Sequence, residues 1–407
     1  MMIQGGKIVF QSMGGEKTRF PGACTCLAAV TLLGSLLCAA PPSFSQATEQ
    51  KIDELCSAAV YANAPGMAVL VKKGGKIVYQ KGYGVRELRT RAAISPATNF
   101  RLASFTKQFT AMAIMLLVRD GKLGYDQRLT ELFPEFPAYG KRITVRHLLS
   151  HTSGLPDYED LMEQEEKRTG QRWSATDQIQ DAEVLMLLEK QVAGKFPPGA
   201  SWAYSNSGYV VLGLIVAKVS GMPYRDFLRQ RIFLPADMKR SIVYQKGIKD
   251  VSLRAYGHSQ EKDALVETDQ SSTSATLGDG GVYSNLEDLA KWDAALREHK
   301  LLSEAEMAAA LTPVTLTDGS QPHWPKEPDG DNLAPGEPVS YGFGWFLDPY
   351  KGRARVWHTG STMGFRTVIQ RFPADDLTIV ILCNRTDLDP RQLSLKIADL
   401  FIGNPTH

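Results

Sequence analysis

Ser104 and Lys107 stand at the head of an apolar run, "SFTKQFTAMAIMLL". On a helix, residues three apart share one face and can touch. Burial weakens a lysine's preference for its charged form, and a neutral amine against a hydroxyl is a general base beside a nucleophile. The positive end of the helix favours negative charge developing on the serine oxygen. The chemistry that follows is attack on a carbonyl through an acyl-enzyme. The same spacing recurs at Ser259 and Lys262, within "GHSQEKDALVETD". That segment has no apolar face, so two solvated side chains are expected there.

The triplet Tyr-x-Asn occurs three times. "YAN" at Tyr61 closes the first predicted helix, with Asn63 as its stop. "YSN" at Tyr283 precedes "LEDLAKW", where Ser284 and Glu287 are expected to form an N-capping box. "YSN" at Tyr204 follows a Pro-Pro-Gly turn and precedes the apolar run from Val210 to Val219. This copy alone sits in the helical middle of the chain, which selects Tyr204 and Asn206. His147 and His151, in "RHLLSHTSGLP", read as helix-end histidines bonded to backbone.

The elements that must position these residues fall into two textures. "GMAVLVKKGGKIVYQKGYG" predicts a hairpin turning at Gly74-Gly75. Near the other end, "RARVWHTGS", "GFRTVIQRF" and "LTIVILCNR" predict three more strands, followed by a helix in "RQLSLKIADLFI". Short links between them suit antiparallel pairing. From Ser104 to about Val219 the apolar spacing is helical. The expected class is α/β (α+β): a five-stranded antiparallel sheet flanked by helices and built from both chain ends. A mostly helical lobe, roughly 110–275, is inserted in a domain spanning 47–407.

With the segment order in place, a third motif, "HTG" at His358, completes a series: "SFTK", "YSN", "HTG". The series resembles the motifs of the serine β-lactamase and penicillin-binding protein superfamily, in its class C, DD-peptidase and esterase branch. "ITVRHLLSHTSGLP" and "LGDGGVYSNLEDLAKW" are similar too, and the resemblance covers nearly the whole chain after its first segment. It implies that Ser104 forms the acyl-enzyme and that Lys107 and Tyr204 share proton transfer. Asn206 would hold a substrate amide and orient Lys107. His358, Thr359, Gly360 and Ser361 would form an edge strand for substrate, with the backbone N–H groups of Ser104 and Ser361 as oxyanion hole. Asp157 and Tyr158 are expected to touch substrate.

No metal or organic cofactor is implied. The substrate would be a D-amino acid peptide, an ester or a β-lactam. A DD-peptidase or esterase is the leading reading; the alternatives are a β-lactamase proper and a penicillin-binding sensor that is acylated without turnover. His358 replaces the lysine of class C β-lactamases, which leans toward peptidase or esterase. At its ordinary pKa, near 6.5, it is expected to lose a partial charge between about pH 6 and pH 8. A lysine placed there would then draw carboxylate-bearing substrates.

The 407 residues carry a net charge of +2, which gives no electrostatic reason to expect nucleic acid. Lys17 and Arg19 precede the uncharged "PGACTCLAAVTLLGSLLCAA" and then "PPSFSQATEQ". This is the pattern of a signal peptide over 1–46, so a periplasmic or secreted protein is expected. An uncleaved N-terminal anchor is the alternative. No interior run is long and apolar enough to span a membrane. Cys24, Cys26 and Cys38 would leave with the signal, while Cys56 and Cys383 are expected as buried free thiols. No cysteine and histidine spacing suits zinc.

Overall fold

The computed structural model describes residues 45–61, 63–245, 251–326 and 333–403. The signal-like stretch, with Cys24, Cys26 and Cys38, lies outside the described residues. Chain order begins with α1 (Gln46–Ser57), β1 (Met67–Lys73), β2 (Lys76–Tyr83) and β3 (Phe100–Arg101). The helical middle follows: α2 (Lys107–Arg119), α3 (Leu129–Leu132), α4 (Val145–Leu149), α5 (Tyr158–Thr169), α6 (Asp181–Glu189), α7 (Asn206–Ser220) and α8 (Tyr224–Leu228). Short strands come next: β4 (Ile242–Val243), β5 (His258–Glu261), β6 (Ala264–Glu267) and β7 (Val282–Ser284), then α9 (Leu286–Arg297) and α10 (Glu304–Met307). The chain closes with β8 (Val356–Thr362), β9 (Phe365–Phe372), β10 (Leu377–Cys383) and α11 (Pro390–Ala398).

The main sheet has the order β2-β1-β10-β9-β8, every pair antiparallel. It is the five-stranded sheet from both chain ends that the strand pattern predicts. Both faces are buried, and the period of two sorts the side chains between them. Ala68, Leu70, Val380 and Leu382 join the large core shared with α2 and α7. Met67, Val69, Val71, Ile379 and Ile381 join Ile52 of α1 and Ile397 of α11 on the other face. Cys56 and Cys383 belong to this second cluster, both as buried free thiols, as expected. A one-residue slip would swap the two sets, so register is strongly specified. It leaves β8 at the edge, where the third motif lies.

α2 and α7 are apolar around almost their whole circumference, which is why they pack inside the molecule. The segment before β7 presses onto α7 so closely that a Cβ on Gly278 would stand 2.2 Å from the Tyr209 carbonyl. Only glycine permits that approach.

Two local expectations are corrected. α9 is capped by Asn285, which accepts the Asp288 N–H at 3.0 Å. Ser284 cannot cap because it ends β7, paired with Phe100, and its hydroxyl meets that of Ser241 at 2.8 Å. α1 stops at Ser57, short of Tyr61, and Asn63 takes a left-handed φ of +61° in the turn beyond.

Candidate active site

A single 3-10 turn, Ala103–Thr106, carries Ser104 from β3 into α2. Ala103 adopts φ +51°, a conformation costing about 1–3 kcal/mol for a residue other than glycine. The surrounding contacts hold it: the Leu102 carbonyl accepts from Thr367 Oγ1 at 2.8 Å, and its N–H donates to Val282 at 2.8 Å. Ser104 thereby lines two clefts at once. One measures about 1040 Å³ and the other about 280 Å³, and Tyr204 and Ser361 also border both.

Lys107 is fully buried one turn later. Its Nζ donates to Ser104 Oγ at 3.0 Å, to Asn206 Oδ1 at 2.8 Å and to the backbone carbonyl of Asp279 at 3.1 Å. It also stands 4.8 Å from the centre of the Tyr204 ring. Ser104 and Lys107, Tyr204 and Asn206, and the Asp279 carbonyl are thus brought together from three separate segments. Asn206 is the first residue of α7, and Ser205 caps that helix by accepting the Gly208 N–H at 3.0 Å. The cap fixes where α7 starts and so where Asn206 points.

β8 supplies the fourth wall. Trp357 N–H and C=O both pair with Phe346, away from β9, at 3.0 and 2.9 Å. Alternate residues of a strand turn their backbone groups to the same edge, so those of Thr359 and Ser361 also face outward along the clefts. Gly360 lets the strand come this near: a Cβ there would lie 2.0 Å from the Leu102 carbonyl.

His358 departs from expectation. It is 1% exposed, its Nδ1 lies 2.6 Å from the Thr359 carbonyl and its Nε2 lies 3.1 Å from Tyr341 Oη. The carbonyl requires Nδ1 to donate, and Nε2 shares a hydrogen bond with the tyrosine hydroxyl. Burial, reinforced by the charge of Lys107, pushes its pKa down to about 3. No partial charge is therefore lost between pH 6 and pH 8. A lysine at 358 would place a second ammonium beside Lys107, on the wall of the smaller cleft.

Among the remaining candidates, Asp157 caps α5 and borders the larger cleft. Tyr158 is 1% exposed and donates to Asp279 Oδ2 at 3.2 Å, so it supports the Lys107 anchor instead of touching substrate. His147 accepts the Thr144 N–H at 3.2 Å, a helix-start backbone contact. His151 accepts the Ser205 N–H at 3.1 Å, beside Tyr204.

Sequence reasoning missed Asp279, Tyr341, Arg366 and Arg391. Asp279 acts through its carbonyl, which leaves no side-chain signal, though the glycines of "LGDGG" mark a close backbone approach. Arg366 and Arg391 border the smaller cleft from β9 and α11. Tyr341 sits in an irregular loop, within an aromatic cluster of Trp202, Trp324, Phe346 and Trp357 against which Tyr204 packs.

A serine hydroxyl held by a buried lysine, on an antiparallel sheet flanked by helices, is the arrangement of a serine hydrolase. Residues 52–403 match the Beta-lactamase family model, and the chain belongs to that family. It is 34% identical over 353 residues to a penicillin-binding protein of Bacillus subtilis, covering 83% of this chain and 72% of that protein. A D-aminopeptidase of Cereibacter sphaeroides is 26% identical over 322 residues, covering 79% of this chain and 57% of the relative. The structure of an octameric penicillin-binding protein homologue from Pyrococcus abyssi matches with a TM-score of 0.71 at 26% identity, covering 88% of this chain and 77% of the other.

Proposed function

We propose that this chain is an exported hydrolase that cleaves small D-amino acid peptides through a Ser104 acyl-enzyme, with simple esters as surrogate substrates. The observation that carries the reading is the set of partners around Lys107 Nζ. Asn206 Oδ1 and the Asp279 carbonyl only accept. A neutral amine gives its two N–H bonds to these and turns its lone pair on Ser104 Oγ, whereas an ammonium points its third N–H at the same oxygen. Either protonation state keeps the geometry. The lysine can thus take the serine proton without moving.

In acylation, Oγ bonds to the substrate carbonyl carbon while its proton passes to Lys107. The oxyanion is met by the Ser104 and Ser361 N–H groups. Tyr204 relays a proton to the departing amine as the C–N bond breaks. Water then attacks the ester, and the same groups run in reverse. The substrate backbone would lie along the open edge of β8, at Thr359 and Ser361.

A free carboxylate on the leaving group finds its cation in the smaller cleft. Arg366 and Arg391 stand there against one carboxylate, Asp389, whose Oδ1 already accepts the Gln392 N–H at 3.0 Å. The similarity to a penicillin-binding protein and to a D-aminopeptidase supports a D-amino acid substrate. Export is supported by the signal-like sequence alone, and N-terminal sequencing of protein from the exported fraction tests it.

The functional test is turnover of four compounds by purified protein: a D-Ala-D-Ala peptide, a D-amino acid amide, a short-chain ester and a cephalosporin. The peptide should give the highest kcat/KM, and Arg391→Ala should lower that value far more than the value for the ester. Preference for the cephalosporin, or a single stoichiometric burst with every compound, would overturn the reading.

A further inference from the structure

His151 takes no part in the proton transfers above, yet it holds the Tyr204 segment on both sides. Its own carbonyl accepts the Ala203 N–H at 3.0 Å, and its Nδ1 accepts the Ser205 N–H at 3.1 Å. Tyr204 is the residue between. The imidazole also lies against the phenol ring, with centroids 4.5 Å apart, and against Tyr341 at 4.6 Å. To make these contacts His151 adopts φ +61°, a left-handed conformation that histidine and asparagine enter more readily than most residues. The side chain is 1% exposed.

An Nδ1 that accepts requires the ring proton on Nε2, and that nitrogen has no hydrogen-bond partner among the described residues. It faces an aromatic enclosure in which Trp202 meets the imidazole edge to face at 5.7 Å. A buried N–H left among rings is an arrangement worth keeping only if the other nitrogen matters. Burial and then the charge of Lys107 hold the ring neutral by driving its pKa well below 6.5. A protonated ring would lose the Ser205 contact, because Nδ1 would carry a hydrogen.

We propose that His151 is a positioning residue for Tyr204, setting the direction of the phenol by gripping the amides on either side of it and backing its ring. The proposal rests on the reading of Tyr204 as proton carrier. Two substitutions separate its components. His151→Phe keeps a flat ring and removes the acceptor. His151→Asn removes the ring but places an acceptor at the same branch point and tolerates positive φ.

The experiment is a double-mutant cycle with Tyr204→Phe, reading kcat and KM for a short-chain ester. His151→Phe should lower kcat roughly tenfold or more with KM nearly unchanged, and His151→Asn should restore most of that loss. In the Tyr204→Phe background both changes should have almost no further effect on kcat, because the group they orient is gone. A full, multiplicative loss in that background overturns the proposal, as does equal damage from Asn and Phe. If His151→Phe does not fold, the cycle with His151→Asn decides, since its smaller loss must also vanish. Were Tyr204→Phe itself without effect, the reading of Tyr204 would fall, and that result is read before the cycle.

Discussion

Ser104–Lys107 and Ser259–Lys262 have the same residues at the same spacing, and they meet opposite fates. The first pair follows a helical path, so the side chains converge and Nζ reaches Oγ at 3.0 Å. The second lies in the β5–β6 hairpin, where residues three apart face opposite sides of the ribbon. Ser259 instead shares a hydrogen bond with Thr268 at 2.6 Å, and exposed Lys262 occupies the turn at φ +53°. The Tyr-x-Asn copies divide the same way. Tyr61 is 76% exposed and Tyr283 is sealed in β7, whereas Tyr204 borders both clefts. Spacing becomes chemistry only where backbone geometry and burial converge on one point.

The largest effect expected from this contrast is at the serines. Ser104→Ala should abolish labelling by a fluorophosphonate and reduce ester turnover to background, while Ser259→Ala should leave both nearly intact. Loss of labelling in a folded Ser259→Ala protein would reverse the assignment. Next come the tyrosines: Tyr204→Phe should slow turnover roughly a hundredfold, and Tyr283→Phe should stay near wild type. The sharper test is whether Tyr283→Phe changes thermal stability alone.

Gly360→Ala sharpens the comparison at the backbone level. A Cβ 2.0 Å from the Leu102 carbonyl must push β8 off the nucleophile turn. Stability should fall by about 2 kcal/mol in urea titrations, with activity lost as well. The exposed turn glycine Gly352, whose Cβ would meet nothing within 4 Å, provides the control, strained by its φ of +74° but without a clash.

The smallest effect concerns acid. In the unfolded chain a histidine protonates near pH 6.5, but folded His358 resists until about pH 3. Its stabilising contribution is full above pH 6.5 and lost as pH falls toward 3, because the unfolded state binds the proton first. By about pH 5.5 the loss should reach about 1.4 kcal/mol from this group, with His151 adding in the same direction. Denaturation midpoints of His358→Gln should decline less steeply below pH 6.5. An unchanged slope would mean that His358 is not buried neutral.

Much of this protein was determined by its sequence alone. Period-two strands at both ends and apolar helices between them specify a sheet and its packing, because those patterns leave few other ways to bury their faces. The order and context of Ser104 and Tyr204 singled them out as candidates from the other Ser-x-x-Lys and Tyr-x-Asn copies. Tertiary structure decided the rest. The Lys107 site is assembled from partners 99 and 172 residues away, one of them a backbone carbonyl, and no local spacing encodes such a contact. His358 became neutral and Tyr158 inaccessible because burial is a property of the whole packed molecule. The grip of His151 on the Tyr204 segment exists only once α4 and α7 have come together, since hydrogen bonds to a distant backbone leave no pattern in the chain that makes them.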